Sequence, residues 1–205
     1  MVGQSCHWCR GERISATSHG VKDATTLEAQ IRNWFANHLD RGVGIACGEA
    51  SGLLVIDVDP RNGGDHTFDE LTTKLGALPD TVTQLTAGGG CHYLFRYPDA
   101  KGRGTLGPGV DVKSEGGYIV AHPSVINGRR YEWEASADPL DGAEVAELPE
   151  AWRDAILATS ATERPPGARN DADEYIDPST VTELRSALNF LDADEYGTGP
   201  VADTG

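Results

Sequence analysis

Apolar residues recur along this chain at two spacings, and the change from one to the other marks its parts. Leu27, Ile31, Trp34 and Phe35 fall at helical intervals, and Thr25 with Glu28 three residues on has the pattern of a capping box, so a helix is predicted over about residues 25–38. Val43–Cys47 is a short strand candidate. Leu53–Val58, LLVIDV, is an almost unbroken apolar run of the kind found in strands buried on both faces. Pro60–Gly64 turns the chain, and helical spacing returns from His66 to Leu75, with Phe68, Leu71 and Leu75 on one side and Gly76 as the stop. After Pro79 the period becomes two. Thr81–Thr86, Cys91–Tyr97, Val110–Lys113, Tyr118–Ala121 and Arg129–Trp133 are predicted strands, the first two joined through Gly88–Gly90 as a hairpin. The segment 81–133 is therefore expected to be an antiparallel sheet built on hairpins, with Gly102 to Gly109 as a mobile loop.

Residues 1–22 show no periodicity and are expected to be irregular. Pro149 suits the start of a helix over 150–159. Residues 160–176 read as a polar, proline-containing linker, and Val181, Leu184, Leu188 and Leu191 are in helical register after Asp177–Pro178. Early strands and helices followed by hairpins give an α+β class.

Composition narrows the setting. The 205 residues are enough for one good-sized core or a domain with a tail, and 39% hydrophobic with 24% charged residues is ordinary for a soluble protein. No stretch approaches the roughly 18 apolar residues of a membrane helix. The start, MVGQSCHWCRGERIS, has no apolar signal-peptide core, so a cytoplasmic location without membrane partners is expected, with Cys6, Cys9, Cys47 and Cys91 reduced. The net charge of −15 runs against nucleic-acid binding. Residues 1–150 carry 21 acids and 13 bases, net −8, and residues 151–205 carry 11 acids and 4 bases, net −7. Any grip on nucleic acid must come from a local patch. Arg61, Arg96, Lys101, Arg103, Arg129 and Arg130 are the candidates, each equally readable as a solvated surface charge.

Three motifs carry candidate chemistry. Asp57 and Asp59 sit one residue apart at the end of the buried run and so project from one face of a strand. Paired carboxylates suit Mg²⁺ or Mn²⁺, although a solvated strand end gives the same pattern. His92 follows Gly88, Gly89 and Gly90, where a backbone can approach a phosphate with its amides free to donate; a plain glycine turn with a surface histidine is the other reading. Asp111 and Lys113 again share a face, as a third ligand beside a triphosphate contact or as an ordinary ion pair.

Taken in order, these motifs resemble a known family. HGVKDATT at 19–26, GVGIACGEASGLLVIDVDP at 42–60, GGGCHYLF at 88–95 and GVDVKSEGGYIVAHPS at 109–124 are similar to the primase–polymerase (Prim-Pol) domains of the archaeo-eukaryotic primase superfamily, found in phage and plasmid replication proteins. The resemblance runs from about His19 to Trp133 and places a catalytic domain at 23–159. It implies a primase-type core with mixed or antiparallel sheets, flanking helices and an RRM-like unit. It also implies a DNA primase and DNA polymerase, that is, a nucleotidyltransferase acting on a single-stranded DNA template with NTP or dNTP. On that resemblance Asp57, Asp59 and Asp111 hold two divalent metals, Mg²⁺ or Mn²⁺; His92 acts at the incoming phosphates; and Lys113, Gly89, Gly90 and Ser124 bind nucleotide. Two such ions about 3.5–4 Å apart serve the attacking and leaving oxygens of an in-line displacement.

The chain departs from the pattern at His122, where the family usually has proline, and at Cys47, where threonine is frequent. CHWC at 6–9 lies outside the pattern. With His7 it offers at most three ligands, and structural zinc normally takes four, so zinc is not expected. ELRSALNFLDADEY at 183–196 resembles the start of the helical primase C-terminal domain, within residues 177–205. That implies a piece of a longer primase–helicase, with a replicative helicase as partner in cis or in trans; a plain amphipathic helix is the alternative. Two other functions stay open: a non-catalytic nucleotide- or DNA-binding replication module, and a metal-dependent nuclease or sugar-nucleotide transferase using Asp-x-Asp.

Overall fold

The apolar run Leu53–Val58 lies in the middle of the molecule, with strands on both edges and packing layers on both faces. The computed structural model describes residues 2–4, 19–36, 41–98 and 104–162. In chain order these form β1 (Val2–Gln4), α1 (Glu28–Phe35), β2 (Val43–Ala46), β3 (Leu53–Val58), α2 (Gly64–Leu75), β4 (Thr83–Leu85), β5 (Cys91–Arg96), β6 (Gly104–Gly107), β7 (Val110–Lys113), β8 (Tyr118–Ala121), β9 (Val125–Ile126), β10 (Arg129–Arg130), β11 (Glu132–Trp133) and α3 (Glu150–Thr162). Six strands form one sheet in the order β11-β4-β5-β3-β7-β6, and β1-β2-β8 form a second. Every ladder is antiparallel, in keeping with an α+β fold.

Side chains alternate across a strand, so β3 feeds two cores. Leu53 and Val55 meet Ile31 and Phe35 of α1, Val43 and Ile45 of β2, and Ile119 of β8. Leu54, Ile56 and Val58 meet Trp152 and Ile156 of α3, with Phe68, Leu71 and Leu75 of α2 packed beside them. The spacing of those three residues is what laid α2 on that face. Trp152 also donates its indole N–H to the Gly76 carbonyl at 2.9 Å, fixing α3 over the end of α2.

Several expectations are corrected. The segment 81–133 is not one sheet, because β8 leaves the six-stranded sheet to join β2. Residues 104–107 are a strand, not a loop; they pair with β7 across the Pro108–Gly109 turn, where Gly109 has φ +69°. Arg129–Trp133 divides into β10, the return strand of a small hairpin, and β11, the edge of the large sheet. Val2–Gln4, expected to be irregular, pairs with β2. The predicted capping box does not form. Thr25 accepts instead from the Leu27 amide at 3.1 Å and Glu28 pairs with Arg32 at 2.8 Å, so α1 starts without a side-chain cap. The helix predicted from 177, most of the linker before it, and Cys6, His7, Cys9, Lys101 and Arg103 lie outside the described residues. No helix among the described residues is long and apolar enough to cross a membrane.

Leu54 is fully buried in the central strand. Leu54→Ala is expected to cost about 2–5 kcal/mol, read as a lower urea midpoint at unchanged slope.

Candidate active site

Register decides which side chains meet. Asp57 on β3 stands opposite His92 on β5 and opposite Asp111 on β7. Beyond them, Gln84 on β4 stands opposite His92 and Thr105 on β6 opposite Asp111. Directly opposed residues share a face, so a polar row crosses the sheet on the same face as Leu53 and Val55. At that level the two sheets part. Gly117 donates to the Ser114 carbonyl at 2.8 Å in a tight turn, Gly116 has φ +73°, and the chain passes from β7 into β8 of the other sheet. A cleft of about 440 Å³ opens there, with Asp57, His92 and Lys113 on one wall and Gly116–Val120 and Tyr131 on the other.

The charges in the row are interlocked. One Asp57 oxygen lies 3.4 Å from His92 Nε2 and the other 3.5 Å from Lys113 Nζ. Lys113 Nζ lies 2.9 Å from Asp111 Oδ2, so two carboxylates on adjacent strands converge on one cationic point. Burial alone would push Asp57 up; the hydrogen bond with His92, then the charge and hydrogen bond of Lys113, outweigh it and hold the carboxyl below the usual range. Burial would push Lys113 down, and its bonds and charges with Asp111 and Asp57 outweigh that and raise it.

Asp59 is held differently. It accepts from the Arg61 amide at 3.0 Å, from Arg61 Nε and Nη2 at 2.9 Å each, and from Asn62 Nδ2 at 2.9 Å, capping the short turn Pro60–Asn62. The Arg61 hydrogen bond is the main cause that holds its carboxyl low. Among the described residues, no three His, Cys, Asp or Glu side chains converge as a metal cage. Asp57 and Asp111 nevertheless fit a hard divalent ion, because Mg²⁺ is commonly held by one or two carboxylates with substrate phosphates completing its shell. Both oxygens of Asp59 are already taken by Arg61.

The other expected site residues divide. The Gly89 amide donates to the Thr86 carbonyl at 2.9 Å and the Gly90 amide to Thr86 Oγ1 at 3.0 Å, so the turn itself uses the two donors expected to be free. A Cβ on Gly90 would collide with the Val58 carbonyl oxygen; this glycine lets β5 start against the end of β3. Ser124 is buried away from the cleft. Its hydroxyl accepts from the Val43 amide at 2.7 Å and donates to the Val43 carbonyl at 3.3 Å, which ties down β2 and leaves the hydroxyl engaged with backbone. Of the basic candidates, Arg61 is paired with Asp59 and Arg96 with Glu147, and Arg129 and Arg130 are exposed on β10.

Two residues escaped the sequence reading. Gln84, fully buried, lies 2.9 Å from His92 Nδ1. Tyr131 lines the cleft with its ring centroid 6.1 Å from that of His92. A polar residue at a core position of a period-two strand was the available signal for Gln84; nothing in the sequence marked Tyr131.

A family model described as Prim-Pol, bifunctional DNA primase/polymerase, N-terminal, matches residues 6–151. The match takes in the whole polar row and both sheets except β1. It starts upstream of His19, where the sequence resemblance begins, so Cys6 and Cys9 fall inside the matched range. No curated protein matches the chain.

Because the folded protein holds Asp57 below its unfolded value, the contribution to stability is complete above about pH 4 and is lost as pH falls through the folded value. The stability gap between the native protein and Asp57→Asn is expected to narrow in urea titrations taken stepwise from pH 6 to pH 2. A gap that stays constant would contradict this coupling.

Proposed function

The chain belongs to the Prim-Pol family, bifunctional DNA primase/polymerase, N-terminal, and from that membership we propose that it makes and extends primers on single-stranded DNA by template-directed nucleotidyl transfer. The observation that carries the proposal is the row Asp111–Asp57–His92 with Lys113, bordering an open cleft inside the matched range. The strand order β4-β5-β3-β7, with α2 joining the first of these strands in the chain to the second, supports an RRM-like unit, in which β6 lies in the chain where a second helix would be.

In this reading Asp57 and Asp111, with Asp59 once released from Arg61, hold Mg²⁺ or Mn²⁺. When bound, such ions stabilise negative charge on the attacking and leaving oxygens. His92 presents a ring N–H to a phosphate oxygen and Lys113 supplies a positive charge to the triphosphate. The aromatic wall of Tyr131 and Tyr118 offers a face to base or sugar. The exposed pair Arg129–Arg130 takes template phosphates, so DNA binding is expected to weaken steeply with salt. A replicative helicase, in cis or in trans, supplies the unwound template, as in phage and plasmid replication.

A second reading, a nucleotide-binding replication module without catalysis, is favoured by one feature: Asp59 already carries a bidentate arginine. Primer extension and de novo synthesis on single-stranded DNA, with Mg²⁺ or Mn²⁺, separate the two. Native protein is expected to give product, and folded Asp57→Ala and Asp111→Ala to fall to background. Nucleotide binding without product from native protein would select the second reading.

A further inference from the structure

Gln84 is a large polar side chain with no solvent exposure, a costly placement unless its hydrogen-bonding groups are matched. Its Oε1 accepts from the His122 backbone N–H at 2.7 Å, and its Nε2 donates to the Val120 carbonyl at 2.9 Å. A backbone N–H can only donate and a carbonyl can only accept. The two ends of the amide are thereby distinguished without ambiguity, since the flipped amide would set like groups against each other at both positions. The remaining hydrogen on Nε2 points to His92 Nδ1, 2.9 Å away. That nitrogen must therefore accept, and the ring proton must sit on Nε2, the nitrogen 3.4 Å from Asp57.

We propose that Gln84 is the positioning residue that fixes His92 in the Nε2–H tautomer, so that the ring offers a donor, and not a lone pair, to the anionic side of the cleft. The opposite tautomer would turn a lone pair toward Asp57 and toward any phosphate oxygen. The same amide bridges the walls of the cleft: Gln84 belongs to the six-stranded sheet, and Val120 and His122 lie on β8 and just after it. His92 is thus aligned by a side chain that also ties the two sheets to each other. An outer partner of this kind commonly decides which nitrogen of a site histidine is available. The use of the proton on a triphosphate rests on the primase–polymerase reading; the tautomer does not.

The test is a long-range ¹H–¹⁵N spectrum of the histidine rings in the full chain, without nucleotide, with His92 assigned by comparison with His92→Gln. In the native protein, Nδ1 of His92 is expected to resonate as an unprotonated ring nitrogen and Nε2 as a protonated one. Gln84→Glu keeps the shape and the contact to the His122 amide but has no hydrogen to give Nδ1, and is expected to move the proton to Nδ1. With nucleotide, KM is expected to rise about 10- to 100-fold, the range known for loss of the outer partner of a metal-bound histidine, with kcat changed less. A native spectrum with Nδ1 protonated, or with the two tautomers averaged, would overturn the proposal even if Gln84→Glu does not fold. A native spectrum of the expected form from a protein that binds no nucleotide would support the tautomer assignment and remove the primase–polymerase reading.

Discussion

A carboxylate at the end of a strand buried on both faces is the constraint around which this protein is arranged. Asp57 follows Leu53–Ile56, each of them without solvent exposure, and so begins where water is scarce. Left alone it would take up a proton or destabilise the strand. Its neighbours on both sides prevent that. β5 brings His92 alongside, and β7 brings Lys113, itself shared with Asp111. Central position in the sheet is what makes this possible, because an edge strand would have had one such neighbour. Burial creates the need for partners, and the two ladders of β3 supply them.

The cleft follows from the same geometry. The upper part of β3 is covered by α1 and by β2 and β8, and the second sheet cannot close over the charged end. The Ser114–Gly117 turn carries the chain from one sheet to the other beside Lys113. Charged residues on one wall therefore face backbone and aromatic surface on the other. In this recess of an acidic protein, Lys113 and, nearby, Arg61 stand against the carboxylates of Asp57, Asp111 and Asp59.

Much of the fold was legible from spacing. LLVIDV gave a doubly buried strand with its observed bounds, and Phe68, Leu71 and Leu75 gave the packed face of α2. The hairpin of β4 and β5 followed from its glycines. Strand partnership across long separations was not legible: nothing in the local pattern says that β8 leaves for β2, or that β3 takes β5 and β7. In the candidate site, Asp57, Asp111 and Lys113 were legible as charged residues at period two and His92 as the residue after three glycines; the register that brings them together was not. Asp59 was legible as a residue but not as the partner of Arg61, since a bidentate contact between residues two apart depends on the turn that Pro60 begins. Ser124 was legible as a hydroxyl beside a motif but not as the group that holds the Val43 amide, because a hydroxyl looks the same in sequence whether it faces solvent or backbone. Gln84 was missed because its importance comes from three partners distant in sequence, His92 on β5, Val120 on β8 and His122 just after it.

The position of β3 also governs how the chain comes together. Its two hydrogen-bonding partners lie later in the sequence, and the layers over its faces come from both before and after it. During synthesis, β3 emerges with both edges open and with apolar side chains on both faces until β5 and β7 follow. Unpaired apolar strands of this kind are the segments by which nascent chains stick to one another. The charged end that serves the cleft in the finished protein also serves the unfinished one: Asp57 and Asp59, beside a proline, end an apolar run that would otherwise continue.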